Sequence, residues 1–207
     1  HWGVDRSAER AAFEQFIDFA LSQWSHFPGM HIYHYAHYEP AAMKRLAMRH
    51  ATREDDVDRL LRGERFVDLY AVVRQGIRAG VENYSIKTLK AYYGYERLAE
   101  LKDARQSLNR FERALELGRI SEIRDEDKQV VEAYNKDDCL STLALRDWLE
   151  HLRQELVAQG ENMPRPELLD GTASDSIQQR SDEVTQVFEE LVAGIPDENR
   201  SEDERSE

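Results

Sequence analysis

Tyr134 and Asp138 stand at i and i+4, so a helix through them sets a phenol and a carboxylate on one face, where both can address the same water molecule. Around them Val131, Tyr134, Asp138, Thr142, Leu145, Leu149 and Leu152 recur at spacings of three and four, which places the acid in a mostly core-facing stripe. Its neighbours a turn away, Tyr134, Asn135, Ser141 and Thr142, carry no positive charge. A carboxylate withdrawn from water without a paired charge is costly, and the remedies are protonation, a distant basic partner or a metal ion. The same run, Asn135-Lys136-Asp137-Asp138, also reads as a helix break in which Asp137 or Asp138 caps the next helix.

Glu39 is the second candidate. It follows the short apolar and aromatic run Met30-His31-Ile32-Tyr33-His34-Tyr35 and precedes Pro40, the strand-to-helix junction at which open α/β sheets place their sites. The alternative is a surface glutamate complementing a helix N-terminus. His31, His34 and His37 raise the question of zinc, but residues 31 and 34 of a strand face opposite sides, and polar packing is the plainer reading. Arg74, Arg78, Lys87 and Lys90, interleaved with Tyr84, Tyr92 and Tyr93, suit a basic, aromatic face for single-stranded nucleic acid or an ordinary solvated face. Cys139 adjoins Asp138 without a nucleophile's arrangement and is expected to be packed.

The elements that must position these groups are legible in outline. Phe13, Phe16, Ile17, Ala20, Leu21 and Trp24 define an amphipathic helix from about 7 to 25, which Pro28-Gly29 ends. The spacing predicts a strand near 30–35 and a helix over 40–50 that opens on Pro40. Thr52 with Asp55 resembles a capping box for a short helix ending near Gly63. Residues 65–70 read as a second strand, although 69–77 suits a helix equally. Ser85 is placed to cap a helix that Gly94 ends. Helical patterns follow over 103–118 and 126–154, and a further amphipathic island spans 182–193.

Charge is divided unevenly. Residues 156–207 hold 14 acids and 4 bases, net −10, which leaves −3 of the total −13 for residues 1–155. The acidic, Gly-, Pro- and Ser-rich end reads as a linker that is largely disordered in isolation. One cysteine excludes an intrachain disulfide and fits a cytoplasmic protein. No apolar run approaches the roughly 18 residues of a spanning helix, so no membrane is expected.

Several of these runs resemble one family. His34-Tyr35-Ala36-His37-Tyr38-Glu39 is similar to the second motif of the ribonuclease-H-like, DnaQ-type 3′ to 5′ exonucleases, and Tyr134-Asn135-Lys136-Asp137-Asp138 resembles their third. Val67-Asp68-Leu69 and Tyr84-Ser85-Ile86-Lys87-Thr88-Leu89 look like the strand and helix between them. The wording of residues 31–36 and 134–142 resembles the ribonuclease-H-like domain of RecB-family nucleases more closely still, over about residues 8–153.

The resemblance implies an α/β, ribonuclease-H-like fold, truncated and helix-rich with few remaining strands, spanning 1–155. It implies two-metal phosphodiester hydrolysis with Mg²⁺ or Mn²⁺, with Glu39 and Asp138 as ligands and Tyr134 orienting the water. It further implies DNA as the nucleic acid, and RecB-like and helicase regions elsewhere in the same parent chain. The family's first motif, an Asp-x-Glu on the opening strand, has no counterpart ahead of residue 7. Residues 1–207 are therefore expected to hold half a metal site and to be inactive alone. The rival expectation is a non-catalytic interaction or scaffolding module that keeps the fold.

Overall fold

The computed structural model describes residues 1–96 and 101–193. Its elements are α1 (Arg6–His26), β1 (Ile32–His34), α2 (Tyr38–His50), α3 (Glu54–Arg62), β2 (Phe66–Asp68), α4 (Leu69–Gly76), α5 (Ile86–Tyr93), α6 (Leu101–Glu116), a 3-10 turn at Ile120–Glu122, α7 (Asp125–Ala158) and α8 (Asp175–Val192). β1 pairs with β2 in the sole sheet among the described residues. The architecture is thus helix-rich α/β with few strands. The end of the acidic tail, 194–207, lies outside the described residues.

The chain forms two compact units. The first comprises His1–Glu9, Ile32–Tyr38 and Val67–Pro166, and the second Arg10–His31, Glu39–Phe66 and Glu167–Glu207.

In the first unit, Leu69, Val73, Leu89 and Leu145 form a buried cluster to which α4, α5 and α7 contribute. Tyr33, Tyr35, Tyr84, Tyr93 and Trp148 pack around it as half-buried rings, and such rings retain a polar tip that needs a partner. The Tyr35 hydroxyl donates to the Tyr84 carbonyl, and the Tyr84 hydroxyl donates to the Ile77 carbonyl at 3.1 Å. Burial pushes the Tyr35 phenol above its ordinary value, with Tyr70 adding to the effect. Both ends of α5 follow from the sequence: Ser85 Oγ accepts from Thr88 N at 3.2 Å, and Gly94 closes the helix at φ 69°.

In the second unit α1 buries Phe13, Ile17, Ala20 and Trp24, spaced at i, i+4, i+7 and i+11, and α3 buries Val57 and Leu60. The expected capping box does not form. The residue before α3 is Arg53, in the left-handed region at φ 57°, while Thr52 Oγ1 donates to Glu14 of α1 at 2.8 Å. Thr52 therefore ties two helices together. Arg53 reinforces the tie by donating to Asp18 at 2.9 Å.

Arg65 sits at the centre of this unit with 1 % of its surface exposed. Its guanidinium donates to the carbonyls of Gly63 (2.7 Å), Pro28 (2.8 Å), Met30 (3.3 Å) and Leu169 (3.3 Å), and lies 5.0 Å over the Trp24 ring. Five fixed donors let one arginine gather carbonyls from three separate segments. Arg62 adds a bond to the Gly171 carbonyl at 3.1 Å, so the extended run 169–171 is fastened to this unit.

Candidate active site

α7 runs unbroken from Asp125 to Ala158, so neither Asp137 nor Asp138 is a cap. Its buried ridge lies one position from the expected stripe: Asp137, Ser141 and Leu145 are inside, while Tyr134, Asp138 and Thr142 are half-buried beside them. Partners of the polar ridge residues explain the shift. The Tyr95 hydroxyl donates to Asp137 Oδ1, and Tyr93 Oη lies 2.9 Å from Ser141 Oγ. The left-handed Gly94 between these tyrosines reverses the chain, so both phenols reach α7. Cys139, expected to be packed, is exposed.

Tyr134 and Asp138 keep the expected relationship, one turn apart on the half-buried edge of the ridge. The first unit also brings Lys87 to Tyr134, with Nζ 5.6 Å from the ring centre. Lys87 is exposed and Lys90, three residues on, is half-buried. Arg74 lies 5.7 Å from the Tyr70 ring centre and Arg146 5.2 Å from that of Tyr33, so three cations of this unit rest on phenol faces. Arg78 is exposed beyond the end of α4.

The turn after β1 is held under strain. Ala36 adopts φ 68°, unfavourable for any residue with a Cβ. Its amide donates to Asp68 Oδ1 at 2.8 Å, and the same oxygen caps α4 by accepting from Tyr70 N at 2.9 Å. His34, buried in the first unit, sets its Nδ1 against the Ala36 carbonyl, which gives that imidazole a packing role. In the sequence Val67-Asp68-Leu69 reads as strand, which carries no sign that the Asp68 carboxylate joins this turn to α4. Glu39 follows this turn, exposed in the first turn of α2, and belongs to the second unit.

As to a metal, no group of three or more His, Cys, Asp or Glu arranged to hold an ion occurs among the described residues. Mg²⁺ is held by one or two carboxylates, with waters and substrate phosphates completing its octahedron, so a two-ion centre needs several carboxylates brought together, and the described residues do not gather three.

A family model described as RNase_H superfamily matches residues 3–150, and the chain belongs to that superfamily. Membership points to nuclease-like processing of nucleic acid, and domains of this superfamily are generally dependent on divalent metals. No curated protein and no solved structure matches the chain. Among the described residues no helix is long and apolar enough to cross a membrane.

Proposed function

We propose that residues 1–155 contribute to a metal-dependent nuclease that removes nucleotides from a DNA strand in the 3′ to 5′ direction. The observation that carries this reading is the superfamily match over 3–150, which takes in both Glu39 and the Tyr134-to-Asp138 turn. In this reading Glu39 and Asp138 are acids of the ligand set for Mg²⁺ or Mn²⁺. Tyr134 orients the attacking water, and Lys87, Lys90, Arg74 and Arg78 hold the strand's phosphates. The Lys87 ammonium, 5.6 Å from the Tyr134 ring centre, supports that division of labour. The parent protein is cytoplasmic, with RecB-like and helicase regions, and the acidic residues 156–207 serve as the connection between parts.

The test measures nucleotides released from a 3′-labelled single strand with Mn²⁺. A polypeptide that carries an Asp-x-Glu strand ahead of residue 1 should cleave. Asp138→Asn and Glu39→Gln should abolish cleavage, and Tyr134→Phe should slow it roughly 100-fold. Residues 1–207 alone should bind Mn²⁺ weakly and release little. Robust, Asp138-dependent cleavage by residues 1–207 alone would show a complete site of different composition. A second reading is a non-catalytic module that keeps the fold. An extended protein inert on every nucleic acid would select it.

A further inference from the structure

Away from Tyr134 and Asp138, the first unit carries a cavity of about 270 Å³ between the end of α6, the 3-10 turn and the start of α7. Four of its lining residues are arginines: Arg110, Arg113, Arg119 and Arg124. The local sequence explains their convergence. Arg110 and Arg113 share one face of α6 at i and i+3, and Gly118 at φ 65° reverses the chain so that Arg119 and Arg124 return over that face.

Two of the arginines are fixed by Asp127, which is 3 % exposed. Arg110 makes a short ion pair with Asp127 Oδ1, and Arg124 Nε donates to Oδ2 at 2.9 Å. Those bonds, Arg110's foremost, hold the Asp127 carboxyl well below the usual carboxylate range. One carboxylate thus orders two guanidiniums and neutralises only one of them. Arg119 meets Glu122 at 3.7 Å with both side chains mostly exposed, a pair loose enough to yield to a better anion. Arg113 has no hydrogen-bonding or ionic partner for its guanidinium among the described residues. Against Asp127 and Glu122, four arginines leave the lining with two positive charges in excess.

The floor has a different character. Phe111, Ala114 and Ile123 supply apolar surface, and Trp2 lies against Phe111 with the rings tilted by 36° and their centres 5.2 Å apart. An arginine rim over an apolar and aromatic floor suits a ligand that is planar and apolar at one end and multiply anionic at the other. The volume lies just under the roughly 300 Å³ at which small-molecule sites begin, which admits one such unit. We propose that this groove binds a single phosphate-bearing nucleotide, with Arg113 and Arg119 forking the phosphate and the base lying against the Phe111 floor.

The proposal stands apart from the nuclease reading, because none of the groove's residues belongs to the site around Asp138. The same chemistry is offered by a free mononucleotide and by the phosphorylated end of a strand. Calorimetry on residues 1–207 distinguishes them, using adenosine 5′-monophosphate, inorganic phosphate, and an oligodeoxynucleotide with and without a 5′-phosphate. Adenosine monophosphate should bind, more tightly than inorganic phosphate by about tenfold, and Arg113→Glu should weaken it about tenfold or more. Glu122→Gln should tighten it, and Asp138→Asn should leave it unchanged. A 5′-phosphate that strengthens oligonucleotide binding through Arg113 assigns the groove to strand ends, and no such gain assigns it to free nucleotides. Failure of adenosine monophosphate to bind at millimolar concentration overturns the proposal. So does binding that survives Arg113→Glu but is lost in Asp138→Asn, since the nucleotide then sits at the other site. A folded Arg113→Glu protein, checked by circular dichroism, keeps the comparison valid, as Arg113 is exposed.

Discussion

The Tyr95 hydroxyl donates to Asp137 Oδ1, so the buried carboxylate in the middle of α7 meets a phenol while Asp138 beside it stays half-buried. Adjacent residues on a helix point about 100° apart, and the two acids therefore have separate duties. Tyr95→Phe deprives a buried carboxylate of a donor and should cost about 1–3 kcal/mol. Asp137→Asn should destabilise by a similar amount. Asp138→Asn should shift the urea midpoint little. Equal destabilisation by Asn at both positions would show that the neighbouring acids share one structural role.

The second unit makes a sharper demand at Arg65, whose guanidinium serves four carbonyls with 1 % exposure. Lysine offers three donors on a point charge and cannot reproduce the fork, so Arg65→Lys should destabilise the protein by about 3 kcal/mol. Gly171→Ala is a narrower probe of the fastened run. A Cβ there would collide with the Arg59 carbonyl and lie 2.9 Å from the Trp24 ring, with the backbone at φ 75°. The substitution should free residues 168–172, read as faster proteolysis in that run and altered Trp24 emission. An unchanged cleavage pattern would show that the run is held from elsewhere.

Local signals were the legible part of this molecule. Ser85 and Gly94 delimit α5 because capping and left-handed closure involve atoms within a few residues. Residues 65–77 read as strand or helix, and both are present, β2 passing into α4 where Asp68 serves as cap. Thr52 misled because a hydroxyl can satisfy a distant carboxylate as readily as its own helix. The stripe through Asp138 counted apolar neighbours and could not foresee that Tyr93 and Tyr95 would reward burial of Ser141 and Asp137. Arg65 left no trace in the sequence, since its partners are backbone carbonyls at separations of 2, 35, 37 and 104 residues.

Two carboxylates in the first unit tie its stability to pH. Asp127 is depressed mainly by Arg110 and then Arg124, and Glu150 is drawn down to about 2 mainly by Arg153. A depressed native value means that the unfolded chain takes up these protons first. The stabilisation is complete above the ordinary values of 3.8 and 4.5, and it is lost as pH falls through the native values. Urea midpoints should hold steady from neutrality to about pH 5 and drop steadily toward pH 2. Asp127→Asn should start less stable and show a shallower drop. A slope indistinguishable from the parent protein would remove Asp127 from the account.

The cations on phenol faces separate a strand path from an ordinary solvated surface. Lys87 and Arg74, both exposed, lie over the rings of Tyr134 and Tyr70, and Arg78 is exposed beyond α4 with no such ring against it among the described residues. A cation that neutralises a phosphate releases counterions, and each such contact steepens the salt dependence of single-strand binding by about 0.7 in log–log slope. If the strand runs past Tyr134, Lys87→Ala should lower that slope by about one contact's worth and weaken binding of every sequence alike. Arg74→Ala should do the same, and Lys87→Ala with Arg74→Ala should lower the slope by twice as much, because independent phosphate contacts add. The measurement is fluorescence anisotropy of a labelled oligothymidylate over a range of salt. A slope unmoved by both substitutions would leave these side chains as surface charges resting on tyrosines and would take the strand elsewhere.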